Sequence, residues 1–290
     1  MKSEVSRQAP FLHNSIPAVM LRPDTLLFIY EVTGDPGEKL PDQPKSLVGV
    51  WNEDDLSYLF FNRSEDAYVE KLVARRNLCL SSRHELLYKD WQTGVPQSGV
   101  NTAGLWFVLP DHSSPPDGAI LLDPSVVFGD GSHPTTLACL CALRKIVTSF
   151  EIRSLLDLGT GTGIIALAGA RMGIERILAI DKNRLAVSTA GRNVITNRLE
   201  SIIRVEEGEA RFFIDARFDV VVANLPFQVL RELSALRGAT LHDFWIVSGI
   251  SEYQGSQIKE LLAEQGYTEI HYRPDPPWVT FAMRRIDICP

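Results

Sequence analysis

The stretch Ser154-Leu-Leu-Asp157-Leu-Gly159-Thr-Gly161-Thr-Gly163 constrains this chain more than any other. Leu155 and Leu156 begin a short apolar run suited to a buried parallel strand. Three glycines at alternate positions follow, and then the helical run Ile164-Ile-Ala-Leu-Ala168. Strand, tight glycine loop and helix in that order let a ligand approach the backbone, and the new helix presents free N–H groups. The spacing narrows the ligand. A dinucleotide fingerprint needs its third glycine three residues after the second. That position is Ile164, and the third glycine arrives early, at Gly163. The next predicted strand, Arg176-Ile-Leu-Ala-Ile180, ends in Asp181. An acidic residue about 20 positions beyond the first glycine is placed to hydrogen-bond a ribose.

Asp-x-Gly-x-Gly-x-Gly resembles the S-adenosylmethionine (AdoMet) loop of class I methyltransferases. AdoMet carries no pyrophosphate, and its methionine ammonium and carboxylate lie near such a loop. The resemblance therefore puts Asp157 beside the ammonium, the backbone of Gly159, Gly161 and Gly163 around the cofactor, and Asp181 on the ribose.

With 290 residues there is room for two domains, and 45% hydrophobic with 22% charged residues is ordinary for a globular chain. A net charge of −7 argues against a general nucleic-acid binder and suits a basic protein substrate. Cys79, Cys139, Cys141 and Cys289 lack CxxC spacing, so buried free thiols are expected rather than a metal site. The first residues lack an apolar signal core, and no apolar run reaches transmembrane length. The expectation is a cytoplasmic protein with no membrane partner.

Residues 1–23 are polar and proline-marked and are expected to be poorly ordered at the start. Strands are predicted at Leu26–Val32, Leu47–Trp51 and Tyr58–Phe61, with Asn52–Asp55 as a turn and a helix starting at Ser64. This predicts a small α+β domain over 1–90. Proline, glycine and serine crowd residues 91–118 around one strand, Leu105–Leu109, and predict a linker. From 119 to 290 strands and helices alternate, as a parallel α/β sheet requires. Strands are predicted at 155–158, 177–180, 202–206, 218–223 and 243–248. Helices are predicted near 134–148, 164–172, 184–197, 226–237 and 252–265. Gly266–Tyr272 and Trp278–Met283 are expected to form a closing antiparallel pair.

Two further stretches carry chemistry. In Phe128-Gly-Asp-Gly-Ser-His-Pro-Thr-Thr136, Pro134 opens a helix whose positive end suits a carboxylate. His133 is expected to cap or pack rather than to catalyse, and Thr136 is either a capping hydroxyl or a ligand contact. Asp130 is read as a loop cap in preference to an attractor of a cationic amine. In Phe218-Asp-Val-Val-Val-Ala-Asn224-Leu-Pro-Phe227, a buried strand delivers a polar tetrad to the sheet edge where ligands bind. The tetrad resembles the Asn-Pro-Pro-Tyr of methyltransferases that act on nitrogen. That resemblance gives Asn224 and the carbonyl of Leu225 as acceptors for the attacking nitrogen, and Phe227 as a ring facing the sulfonium.

Together the three stretches resemble the methyltransferase family that modifies large-subunit ribosomal protein L11. That family's Phe-Gly-Thr-Gly-Thr-His-Pro-Thr-Thr loop falls on residues 128–136, its Asn-Ile-Leu-Ala on 224–227, and its Leu-Ser-Gly-Ile on Val247–Ile250. The resemblance covers roughly 119–285 and implies an α/β fold: a Rossmann-like class I methyltransferase sheet with a smaller N-terminal α+β domain that recognises the substrate. It implies AdoMet as cofactor, with Thr136, Gly159, Asp181 and Asn224 as contacts. It also implies methyl transfer to a protein nitrogen, a lysine or an N-terminal amine, with a ribosomal protein as a possible partner. Asp130 and Pro226-Phe227 depart from the family pattern. A small-molecule amine N-methyltransferase and a non-catalytic AdoMet-binding module remain as alternatives.

Overall fold

A computed structural model describes residues 21–37, 40–53, 55–91, 95–96 and 98–286. Most of the polar N-terminal stretch, and Cys289, lie outside the described residues. Strands β1 (Leu26–Thr33), β2 (Leu47–Glu53), β3 (Leu56–Phe61) and β4 (Cys79–Leu87) form an antiparallel sheet in the order β2-β3-β1-β4. Its alternation is apolar on both faces. Tyr30, Val32, Leu59 and Phe61 pack on helix α1 (Asp66–Arg76). Leu27, Ile29, Val48 and Phe60 face the other way, onto Val126, Val127, Leu185 and Ala186. Helix α1 begins at Asp66 rather than at Ser64, whose hydroxyl donates to the Asp66 carboxylate.

Strand β4 has no counterpart in the sequence reading. It is mostly exposed and polar, and it holds its place through the ladder to β1 along its whole length. The expected buried thiols divide: Cys139 is buried, Cys141 is half-buried, and Cys79 stands exposed on β4.

The expected linker over 91–118 needs correction. After helix α2 (Tyr88–Trp91), strands β5 (Val100–Thr102) and β6 (Leu105–Val108) join β7 (Ile120–Leu121) in a three-stranded sheet. Val95, Phe107 and Leu109 are buried in the main core with Leu140 and Leu143 of the next helix. Turn-forming residues here mark a turn joining Pro96 and Gly99 and the β5–β6 hairpin turn at Ala103-Gly104, not a flexible tether.

The main sheet runs β10-β9-β8-β11-β12-β14-β13. Its strands are β8 (Ser154–Leu158), β9 (Arg176–Asp181), β10 (Ile203–Glu207), β11 (Val220–Asn224), β12 (Phe244–Ile250), β13 (Tyr267–Asp275) and β14 (Trp278–Arg285). The first five are parallel, and the last two close the sheet as an antiparallel pair. Helices α3 (Pro134–Ser149), α4 (Ile164–Arg171), α5 (Arg184–Thr196), α6 (Phe227–Ala235) and α7 (Glu252–Glu264) cover its faces. Leu155 belongs to the core on one face and Leu156 to the core on the other, as strands buried on both sides require. The chain enters at β8, runs outward to β10, and crosses back to β11. The carboxyl ends of β8 and β11 therefore flank the topological switch point, where open α/β sheets bind ligands. Among the described residues no helix is long and apolar enough to cross a membrane.

Candidate active site

The glycine loop leaves β8 and opens α4, with Gly159, Gly161 and Gly163 all at positive φ. Its amides are spoken for. Gly159 and Thr160 donate to the carbonyl of Ile180, Thr162 donates to that of Phe128, and Gly163 to that of Thr160. Gly161 donates to Asp181 Oδ2 at 3.0 Å. A pyrophosphate cradle needs such amides free to donate, so this loop is not built for one. It offers closeness instead. A Cβ at Gly161 would sit 2.5 Å from the carbonyl oxygen of Phe128, and one at Gly159 would sit 2.4 Å from Leu225.

Asp157 stands near the end of β8. It is 1% exposed and lies beneath the loop, accepting from the Thr160 hydroxyl at 2.6 Å and from the backbone N–H of Ala166. Burial pushes its carboxyl up to about 7, with those two hydrogen bonds opposing and the charge of Asp181 adding. Its position gives it the work of shaping the loop. Asp181 ends β9 half-buried; Oδ1 accepts from the backbone of Asn183 at 2.9 Å and Oδ2 from Gly161. Burial also raises its pKa, against those hydrogen bonds. The Lys182 amide is a third backbone donor, and of a carboxylate's roughly four acceptor positions about one stays open.

The loop before α3 lies across the glycine loop. Thr162 Oγ1 donates to the carbonyl of Gly129 at 2.6 Å, alongside its backbone bond to Phe128. Asp130 is buried and accepts from both the amide and the hydroxyl of Ser132, so it caps the loop. His133 is the N-cap of α3; its Nδ1 accepts from the Thr135 amide at 3.3 Å and lies 2.7 Å from the Thr135 hydroxyl. That network assigns the remaining proton to Nε2. Burial lowers the His133 pKa, with Asp130 opposing. The neutral ring stands between Phe128, at 5.1 Å, and Trp278, at 6.0 Å.

Asn224 ends β11 opposite Ser248. Its Nδ2 donates to Thr135 Oγ1 at 3.1 Å. Thr135 and Thr136 are both buried within α3, and the hydrogen bond from Asn224 makes Thr135 the one that meets the tetrad. Sequence reasoning noted both hydroxyls, and the resemblance named Thr136 as a cofactor contact. Sequence reasoning missed Gly249, at φ +86, whose added Cβ would lie 2.8 Å from Asn224 Oδ1 and 3.1 Å from the Leu225 carbonyl oxygen. Both proposed acceptors thus share one small space that only glycine leaves open. Phe227 starts α6 half-buried, with the Arg231 guanidinium 5.9 Å from its ring centroid.

The family model for ribosomal protein L11 methyltransferase (PrmA) matches residues 65–286, well over half the chain. The chain belongs to the ribosomal protein L11 methyltransferase family. It is 34% identical over 171 residues to the family member of Desulforamulus reducens, covering 58% of this chain and 55% of that one. It is 33% identical over 210 residues to that of Bacillus cereus, covering 69% and 67%. The chain spans about half the length of most curated relatives it matches. The crystal structure of ribosomal protein L11 methylase from Lactobacillus delbrueckii matches with a TM-score of 0.56 at 25% identity, over 63% of this chain and 95% of that one. The fold is that of a Rossmann-like class I methyltransferase.

Proposed function

We propose that this chain transfers methyl from AdoMet to an amino nitrogen of a protein, a ribosomal protein being the first candidate, in the cytoplasm. One observation carries the reading: the glycine loop and the Asn224 tetrad meet at the switch point, with Leu225 against Gly159 and Asn224 Oδ1 opening beside Gly249. The donor set fits AdoMet better than a dinucleotide, because the loop's own amides are satisfied and Asp181 keeps acceptor capacity. Gly159, Gly161 and Gly163 would line the cofactor by backbone, Asp181 would hold the ribose, and Thr136 would contribute from α3. When bound, AdoMet supplies an electrophilic methyl on a sulfonium.

The residues then act by positioning. Thr135 fixes the Asn224 amide so that Oδ1 accepts from the incoming amine. The Leu225 carbonyl supplies a second acceptor. The Phe227 ring faces the cation. A lysine amine with pKa ~10.4 costs roughly 4 kcal/mol to neutralise near pH 7.4. An apolar surround reduces that cost, and Phe128, Trp278 and Phe227 supply one. His133 is unsuited to take the proton at Nε2, which already bears one. In this reading residues up to about 90 form an N-terminal unit and the remainder the catalytic unit.

Purified enzyme with methyl-labelled AdoMet should label protein in a lysate, and in isolated large ribosomal subunits lacking the modification. Label confined to the small-molecule fraction would replace the protein substrate by a free amine. No label in either fraction, despite AdoMet binding, would leave a cofactor-binding module.

A further inference from the structure

The N-terminal sheet is joined to the cofactor loops at two points, by hydrogen bonds as well as by apolar packing. The Tyr88 hydroxyl, buried, donates to the carbonyl of Ser125 at 2.7 Å. The Trp91 indole, edge-on to Phe60 at 5.0 Å, donates to the carbonyl of Val126 at 3.1 Å. Those carbonyls lie just ahead of Phe128 and Gly129, whose own carbonyls clamp Thr162 in the glycine loop. Ser125 is held at φ +48, a backbone state that a non-glycine residue keeps only when its surroundings impose it. The second joint lies beside Asp181. Asn183 Nδ2 donates to the carbonyl of Asn52 in β2, while the Asn183 amide donates to Asp181 Oδ1. Next to it a Cβ on Gly49 would sit 2.6 Å from Leu185, so β2 is pressed onto the start of α5.

Strands β1, β2 and β3 are covered on both faces, one by α1 and the other by the cofactor side of the catalytic unit. Among the described residues the mostly exposed part of the sheet is its edge strand β4. We infer that the N-terminal sheet of this chain is a structural part of the AdoMet site, with Tyr88 and Trp91 as positioning residues that hold the 125–129 loop over the glycine loop. The inference rests on the proposal that the site takes AdoMet, and adds what keeps that site in shape. Linkage then runs both ways: the docked sheet raises cofactor affinity, and bound cofactor tightens the docked sheet.

The test uses the full chain. Tyr88→Phe keeps its ring and Trp91→Phe keeps a smaller aromatic ring, and each removes one donor, so each should raise the AdoMet Kd by about two- to tenfold. The double variant should raise it further, with kcat at saturating AdoMet unchanged. In a Thr162→Val background, where the clamp is cut, adding the double variant should cost less than about twofold, because coupled residues are non-additive. A wild-type measurement needs no variant to fold: AdoMet should slow amide exchange in residues 47–53 and 88–91. Unchanged affinity in the double variant, or exchange in those segments blind to AdoMet, overturns the inference while the Asp181-dependent binding of AdoMet stands. Wild-type protein that binds no AdoMet overturns the functional reading, and this inference with it.

Discussion

Gly249→Ala tests the geometry of the tetrad most directly. The new methyl meets Asn224 Oδ1 at 2.8 Å and the amide of Leu225 at 3.2 Å, and the residue must hold φ +86. The backbone strain alone is worth about 1–3 kcal/mol. At ~2–4 °C per kcal/mol for a domain of this size, Tm should fall by roughly 2–12 °C. The contact with Asn224 is a separate effect. The amide is pinned on its other side by Thr135, so the oxygen must swing by several tenths of an ångström or lose that bond. A misplacement approaching 1 Å costs about a hundredfold in rate, or ~2.7 kcal/mol of barrier. Gly173→Ala separates the two effects. That residue holds φ +98 with nothing within 4 Å of an added Cβ, so it bears strain without a clash. Both variants should lose stability by thermal denaturation, Gly249→Ala at least as much, and only Gly249→Ala should lose kcat in single-turnover methyl transfer, with AdoMet affinity falling less than kcat. Equal activity in the two variants would refute the claim that Gly249 keeps space for the acceptors.

Asp181→Ala removes charged hydrogen bonds worth roughly 1.5–3 kcal/mol and should weaken AdoMet binding about ten- to a hundredfold by calorimetry; unchanged affinity would exclude the ribose assignment. Phe227→Ala should lower kcat more than it weakens AdoMet binding, whereas Asn224→Ala should damage both, and a fully active Phe227→Ala enzyme would remove the ring from the chemistry. His242 is fully buried, with Nε2 3.0 Å from the Ile214 carbonyl oxygen, and burial lowers its pKa. The unfolded chain therefore takes up that proton first as pH falls, so stability from the neutral ring is present above about 6.5 and is lost below it. The stability penalty of His242→Gln should accordingly shrink as pH falls from about 7.5 to about 5.5 in urea titrations; a penalty independent of pH would contradict the buried neutral ring.

The parallel core was legible because its signals are local. Leu155-Leu156 and Val220–Ala223 are apolar runs buried on both faces, and each is followed by glycine or proline punctuation that ends it. The His133 cap and the Asp130 loop cap followed from side-chain types that hydrogen-bond their own neighbourhood. What escaped depends on partners distant in sequence. The polar strand Cys79–Leu87 exists through its ladder to β1, which no period within nine mostly exposed residues announces. Val95, Phe107 and Leu109 sit amid turn-forming residues, and their burial comes from α3, more than twenty residues further on. The apolar second face of the N-terminal sheet was visible as strand composition, but its partner, the Val126-Val127 segment ahead of Phe128, was not.

Thr135 and Thr136 give the sharpest case. Both stand in the first turn of one helix, about 100° apart around its axis. Which hydroxyl meets Asn224 depends on the rotation of α3 over the edge of β11, and that rotation is set by Ala138, Cys139, Ala142 and Leu143 packing into the sheet. Resemblance names Thr136 as a cofactor contact, which is a separate role; the hydrogen bond from Asn224 goes to Thr135. Asp157 repeats the lesson at the other loop. Its spacing to the glycines is a property of the chain, but the side chain turns under the loop because the first turn of α4 presents Ala166 N–H there and Thr160 closes over it. A motif therefore identifies the backbone path of this site, and the packing of α3 and α4 decides which polar atoms face the cleft.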